Sequence, residues 1–252
     1  GGILMEFQIE GRNTVKEAIR TGRTIDRIYV LEDGDRRLVE IVGLAKKDRL
    51  VVISCNRKKL DTMSKTGNHQ GVIAMCAATE YVSPEDILSE AKDKGEDSFI
   101  VIADGVTDPH NLGAVIRTAC ASGAHGLIIP KRRSCGITET VEKVASGAVE
   151  NLKIAKVSNL NDTVKMLKSN GVWVVGTDVS GEKDIYNQDL TGPIALVVGS
   201  EGEGMSELLK KNCDYLVRIP MLGKIQSLNA SVATGIVLYE IVRQRGNKND
   251  KR

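Results

Sequence analysis

Aromatic residues are scarce in this chain, 3% of 252 residues, with one Trp and two Phe. A base-stacking platform of the kind used by single-strand binders is therefore not expected as its main device. No apolar stretch approaches the ~20 residues of a membrane span, and no signal peptide is visible. The five cysteines (Cys55, Cys76, Cys120, Cys135 and Cys213) are scattered, with no CxxC pair and no His at ligand spacing. That pattern points to a reducing cytoplasm and to no structural metal. An excess of one charge is also missing: 35 basic residues stand against 33 acidic ones, a net charge of +2. Such a balance neither demands nor excludes a nucleic-acid partner. Two local clusters exist, Arg57-Lys58-Lys59 and Lys131-Arg132-Arg133. Each, taken alone, reads either as a solvated basic turn or as a phosphate contact.

What is present is ordinary globular material, 41% hydrophobic and 27% charged, in a chain long enough for one large domain or two ordinary ones. Gly1–Leu4 precede Met5 and carry no fold signal. From about Phe7 to Tyr81 helix-like and strand-like pieces alternate: helix Asn13–Thr21, strand Ile25–Leu31, helix Arg36–Lys46, strand Leu50–Ser54, helix Asn56–Ser64 and strand Gly71–Ala77. This predicts a small α/β domain. Ser83-Pro84-Glu85-Asp86 then starts a polar helix, with Ser at the N-cap and Pro at N1, running to Gly95 as a domain join. After Ser98 come four near-continuous apolar runs, Phe99–Ala103, Gly126–Ile129, Val172–Gly176 and Ile194–Val198. Runs of that kind between helical stretches predict strands buried on both faces of a parallel sheet. A fifth, Tyr215–Ile219, leads into a helix expected at Ser227–Arg245, and Gly246–Arg252 reads as a frayed tail.

Ligands of open α/β sheets bind outside the carboxyl ends of the strands, and three unusual loops fall there. The first is Asp104–Asn111, where Asp108 and Pro109 suit helix initiation but leave Asn111 and Arg117 unexplained. Arg117 has Gly113, Ala114 and Ala121 as helical neighbours, so either a ligand or an acid paired with it could come close. The second is Gly199-Ser200-Glu201-Gly202-Glu203-Gly204. Its glycine order is the reverse of the dinucleotide fingerprint, and its two carboxylates would repel a pyrophosphate, which argues against NAD and ATP. The third is Ile219–Asn229, in which Ser227 could cap the last helix and Asn229 calls for a partner. Val232, Ile236, Tyr239 and Val242 form an apolar stripe, read by default as core and otherwise as a dimer face.

Together the loops resemble the three motifs of the SpoU–TrmH family of RNA ribose 2′-O-methyltransferases. The match is N-x-x-x-x-x-R in Asn111–Arg117, G-x-E-x-x-G in Gly199–Gly204 and I-P-M-x-G-x-x-x-S-L-N in Ile219–Asn229. The amino-terminal part is similar to that family's substrate-binding module, itself similar to ribosomal protein L30e. Gly11-Arg12-Asn13-x-Val15 opens it and His69-Gln70-Gly71-Val72 precedes its last strand. Gln226 stands where many relatives have an acid.

The resemblance implies an α/β architecture: a parallel-sheet catalytic domain (98–246) whose carboxyl-terminal segment forms a trefoil knot, and an RNA-binding domain (5–82). A linker helix (83–97) joins them and a disordered tail (247–252) follows. It implies S-adenosylmethionine as cofactor, with Thr177, Gly199, Glu201, Gly202, Ile219, Met221 and Leu228 lining its site, no metal and no membrane, and a homodimer paired through the knot. Asn111, Arg117, Glu201, Ser227 and Asn229 are the implied catalytic set, with Glu201 ordering both its own loop and Arg117. His69 is implied to be structural or RNA-contacting. The substrate branch it resembles most modifies a guanosine of 23S ribosomal RNA, with transfer RNA as the alternative. The family assigns Arg117 to activating the ribose hydroxyl, either as base or by gripping a phosphate and stabilising the alkoxide. Two other readings stand beside this one: an RNA-binding module without catalysis, and a different α/β enzyme using a nucleotide cofactor.

Overall fold

The computed structural model describes residues 8–76 and 80–249. The chain divides into two units. One runs to Glu80 and includes Gly136–Glu139; the other comprises the rest from Tyr81 onward.

The first unit is α/β, as the alternation of pieces suggested. Its strands are β1 (Gln8–Glu10), β2 (Ile25–Leu31), β3 (Val52–Cys55) and β4 (Val72–Cys76). Its helices are α1 (Arg12–Arg20), α2 (Arg36–Lys47) and α3 (Arg57–Met63). The sheet order is β1-β4-β2-β3, with β2 and β3 parallel and the other pairs antiparallel. Val15, Ile19, Leu38 and Ile41 project from α1 and α2 onto Ile28, Val30 and Val72. Asp35 and Asn56 cap α2 and α3 with side-chain carbonyl oxygens, satisfying amides that a helix start leaves open. His69 is buried. Its Nδ1 accepts from the Gly71 amide at 2.9 Å and its Nε2 lies 2.9 Å from Asp61, so it locks the turn into β4.

The second unit holds α4 (Pro84–Asp93), β5 (Phe99–Ala103), α5 (Pro109–Ala121), β6 (Gly126–Pro130), α6 (Glu139–Ala145) and β7 (Lys153–Val157). There follow α7 (Leu160–Ser169), β8 (Trp173–Thr177), β9 (Lys183–Asp184), β10 (Ile194–Val198), α8 (Glu207–Asn212), β11 (Tyr215–Arg218) and α9 (Ala230–Asn249). Seven parallel strands lie in the order β7-β6-β5-β10-β8-β11-β9. All five residues of β5, β6 and β10 are buried, which is why these read as unbroken apolar runs. Because β10 inserts between β5 and β8, the ends of β5, β10, β8 and β11 converge on one edge.

Three expectations change. The helix expected as a linker, α4, packs into the second unit's core, where Ile87 is fully buried beside Ile100 and Ile128. Its start has the full capping box, Ser83 and Asp86 exchanging hydrogen bonds. The apolar stripe of the last helix is not core: Val232 and Tyr239 are 51% and 52% exposed, while Val237, Leu238 and Ile241 are buried on the opposite face. Helix α9 itself starts three residues later than Ser227 and continues to Asn249, past the point where fraying was expected; residues 250–252 lie outside the described residues, as do Gly1–Leu4 and Ala77.

Candidate active site at the carboxyl edge of the sheet

Asp108 caps α5, accepting from the amides of His110 (2.6 Å) and Asn111 (3.0 Å), and Pro109 occupies the first turn. That start sets Asn111 at the mouth of the sheet edge. Across from it, Asn229 caps α9: its Oδ1 accepts from the Ser231 amide (3.0 Å) and hydroxyl (2.6 Å). With its acceptor so used, its Nδ2 donates to Asn111 Oδ1 at 2.9 Å and to Glu201 Oε2 at 3.1 Å. Asn111 Nδ2 reaches the same carboxylate oxygen at 3.4 Å. One residue from each motif thus meets in a single amide–carboxylate cluster.

Ser227, expected as a cap, is instead exposed and leaves that task to Asn229. Arg117 is exposed and, among the described residues, makes neither an ion pair nor a side-chain hydrogen bond. No acid among the described residues pairs with it, and Glu201 orders Asn111 and Asn229 rather than Arg117.

Behind the cluster lies a cavity of about 480 Å³, inside the roughly 300–1,000 Å³ range of small-molecule sites. Thr177, Gly199, Glu201, Gly202, Ile219, Met221 and Leu228 all line it, as do Ser227, Gln226 and the α9 residues Ala233 and Thr234. The loop Gly199–Gly204 folds back on itself, Ser200 and Gly204 exchanging backbone hydrogen bonds at 3.1 and 3.0 Å. A Cβ on Gly199 would fall on the backbone of Gly204 and Met205, so only glycine allows this closure.

Three contributors carried no role in the sequence reading. Asp104, 2% exposed, closes β5. It accepts from the Ser206 amide at 2.9 Å and from Arg133 at 3.3 Å, fixing the far end of the glycine loop. A carboxylate directly after a fully apolar strand was the available signal. Asp178 lines the cavity with Lys210, 2.8 Å away. Burial would raise the Asp178 carboxyl, but the Lys210 ammonium and the Ser180 hydroxyl and amide outweigh it and hold it below the usual range. Among the described residues no group of three or more His, Cys, Asp or Glu could hold a metal ion, and no helix is long and apolar enough to cross a membrane.

Residues 98–239 match the model of the SpoU rRNA methylase family, and residues 8–82 match that of the RNA 2′-O ribose methyltransferase substrate-binding domain. The chain belongs to the SpoU methylase family. Among relatives of this RNA methyltransferase is YacO of Bacillus subtilis, whose name places it with TrmH family tRNA/rRNA methyltransferases. It is 46% identical over 236 residues, 93% of this chain and 94% of YacO. The SpoU methyltransferase AviRb of Streptomyces viridochromogenes, solved in complex with S-adenosylmethionine, matches with TM-score 0.62 and 27% identity, over 96% of this chain and 91% of AviRb. An rRNA methyltransferase of Sinorhizobium meliloti, also solved with S-adenosylmethionine, matches with TM-score 0.58 and 28% identity, over 94% and 87%.

Proposed function

We propose that this SpoU family methyltransferase moves the methyl group of S-adenosylmethionine onto a ribose 2′-hydroxyl of RNA, at a guanosine of 23S ribosomal RNA. The observation that carries the reading is the junction of the three motifs: a cavity for the donor on one side of the Asn111–Glu201–Asn229 cluster, and Arg117, a guanidinium with no partner among the described residues, on the same helix as Asn111.

The cavity suits the donor. Its walls include the apolar side chains of Val198, Val217, Ile219, Met221 and Leu228. Its charged members are Asp178, Glu201 and Glu203 against Lys210, a balance that favours a cationic ligand over a pyrophosphate. The sulfonium of bound S-adenosylmethionine supplies an activated methyl group, and the remaining difficulty lies with the nucleophile, since a ribose hydroxyl is a very weak acid. Asn111 and Asn229, tied to Glu201, would orient the nucleotide so that its 2′-oxygen faces the cavity. A guanidinium keeps its proton in proteins, so Arg117 acts by gripping the neighbouring phosphate and stabilising negative charge on the 2′-oxygen. As the new O–C bond forms and the donor's S–C bond breaks, its electron pair leaving with sulfur, the hydroxyl proton passes to phosphate or water.

The reading extends to architecture. Residues 5–82 bind the RNA and residues 98–246 carry the chemistry. The carboxyl-terminal segment threads a trefoil knot, supported by the insertion of β10 between β5 and β8 and the return of α9 onto α5. Two chains pair through this region, supported by the exposed Val232 and Tyr239 on α9. Ribosomal RNA as substrate places the enzyme in the cytoplasm.

Ribosomal RNA is favoured because the rRNA methyltransferase of S. meliloti aligns over both units; the name of YacO keeps transfer RNA as the second reading. The test is transfer of tritiated methyl to unmodified 23S ribosomal RNA and, separately, to unmodified transfer RNA, followed by digestion to nucleosides. Label in 2′-O-methylguanosine from ribosomal RNA is expected. Label on transfer RNA alone overturns the substrate, and label on a base overturns the 2′-O reading.

A further inference from the structure

Strand β6 ends at Pro130 and delivers the chain into Lys131-Arg132-Arg133. The β5–β6 register pairs Ile102 with Ile128, which brings Pro130 level with Asp104 at the carboxyl edge. The three cations therefore emerge two strands from Gly199, roughly 10 Å at the usual strand spacing, on the edge that holds the cavity and the Asn111–Glu201–Asn229 cluster.

Two features mark this turn as built. Arg133 sits in the left-handed region, φ 59°, a conformation that non-glycine residues adopt at a cost and that the surroundings must hold. What holds it is Asp104: the Arg133 guanidinium lies 3.3 Å from one carboxylate oxygen, while the other oxygen takes the Ser206 amide. One buried carboxylate thus staples the basic turn to the far end of the glycine loop. In addition, Lys131 and Arg132 have no ion pair and no side-chain hydrogen bond among the described residues. Other exposed cations of this unit, Lys165, Lys183 and Lys211 among them, also form no ion pair among the described residues. What sets Lys131 and Arg132 apart is their place, side by side on the edge that holds the site, in a chain whose net charge is only +2.

We infer that Lys131 and Arg132 form a phosphate-binding site for the RNA strand that carries the target ribose, presented at a fixed height by the Arg133–Asp104 staple. The inference rests on the proposed RNA-directed reaction and adds a contact outside the three motifs. Phosphate contacts position a strand without reading its sequence, so the site sets affinity and salt dependence and leaves base choice to other groups.

The test is filter binding of in-vitro-transcribed 23S ribosomal RNA to the full chain across a salt series, with Lys131→Ala/Arg132→Ala, the single Arg132→Ala, and Lys131→Arg/Arg132→Lys. Each lost contact to single-stranded RNA lowers the slope of log affinity on log salt by about 0.7. The double variant should therefore lose about 1.4 and the single variant about 0.7. KM for RNA should rise roughly tenfold in the double variant. Turnover at saturating RNA and calorimetric affinity for S-adenosylmethionine should not move, and the charge-retaining variant should match wild type. An unchanged salt slope, or a fall in turnover with RNA affinity intact, overturns the site. A wild-type chain that methylates no ribose while the double variant still loses salt dependence would strike the functional reading and leave the phosphate site standing.

Discussion

Asn229 does two jobs with one amide, and they can be separated. Asn229→Ala removes the cap of α9, about 1 kcal/mol, and two donated hydrogen bonds to Asn111 and Glu201. Each bond contributes about 1 kcal/mol at such a half-exposed position. The sum, roughly 2–3 kcal/mol, corresponds to a fall of about 5–10 °C in Tm for a domain of this size. Asn229→Asp keeps an oxygen for the Ser231 amide and hydroxyl, and its charge suits a helix start. It cannot donate, however, and it sets a carboxylate against that of Glu201. Like charges about 4 Å apart repel by about 1 kcal/mol in water and about 4 at an effective dielectric of 20; the exposure of Glu201 places this pair near the lower figure. Calorimetric melting and single-turnover methyl transfer on the same preparations read the two jobs. Asn229→Asp keeps the cap but loses both donated bonds and gains the repulsion. By the same figures it should melt about 5–10 °C below wild type, much as Asn229→Ala does, and lose roughly 100-fold in turnover, since small misplacements of a reacting group cost that much. Wild-type turnover by Asn229→Asp would refute the orienting role of the amide, and wild-type melting by Asn229→Ala would refute the cap.

Arg117→Ala should lose at least 100-fold in turnover with Tm almost unchanged, because the side chain is exposed and has no partner among the described residues; retained turnover in the transfer assay would remove it from the site. Gly199→Ala forces the loop apart against Gly204 and Met205. Its calorimetric affinity for S-adenosylmethionine should fall at least tenfold, and unchanged affinity would mean that the loop opens freely. In the first unit, burial would raise the Glu10 carboxyl, but the hydroxyls of Ser64 and Thr66, the Lys65 amide and Gln8 bring it down to about 2. A lowered folded value stabilises above the unfolded value of about 4.3, and that stability is lost as pH falls from about 4.3 toward 2. Glu10→Gln should flatten this acid limb in pH-dependent melts, and an unchanged limb would assign it to other carboxylates.

Much of the frame was legible from local signals. The strands at Phe99–Ala103 and Ile194–Val198 have their full apolar extent because both faces are covered. Strand β7 escaped notice because Lys153 and Lys156 interrupt its apolar run, as suits a strand at the edge of the sheet. The order of strands was invisible, since nothing local says that residues 194–198 lie between 99–103 and 173–177. At the site, both Ser227 and Asn229 are good caps by type. What decides between them is the bond from Asn229 to Asn111, 118 residues away in the chain. The stripe Val232–Val242 was assigned to the wrong face for a related reason: both faces of α9 carry apolar residues, and only packing on α5 shows which is covered. Asp104 and Asp178 went unassigned because their importance lies in burial and in partners distant in sequence.

The position of β10 has a bearing on how the molecule is made. Until residues 194–198 leave the ribosome, β7-β6-β5 forms one sheet fragment and β8 belongs to none, each with an unpaired apolar edge. Open edges of buried strands are templates for pairing with other chains, and contacts between segments this far apart form slowly. The nascent protein therefore passes through an interval in which its most adhesive strands wait for a single insertion. Chaperone dependence and yield should respond most strongly to changes within that one strand.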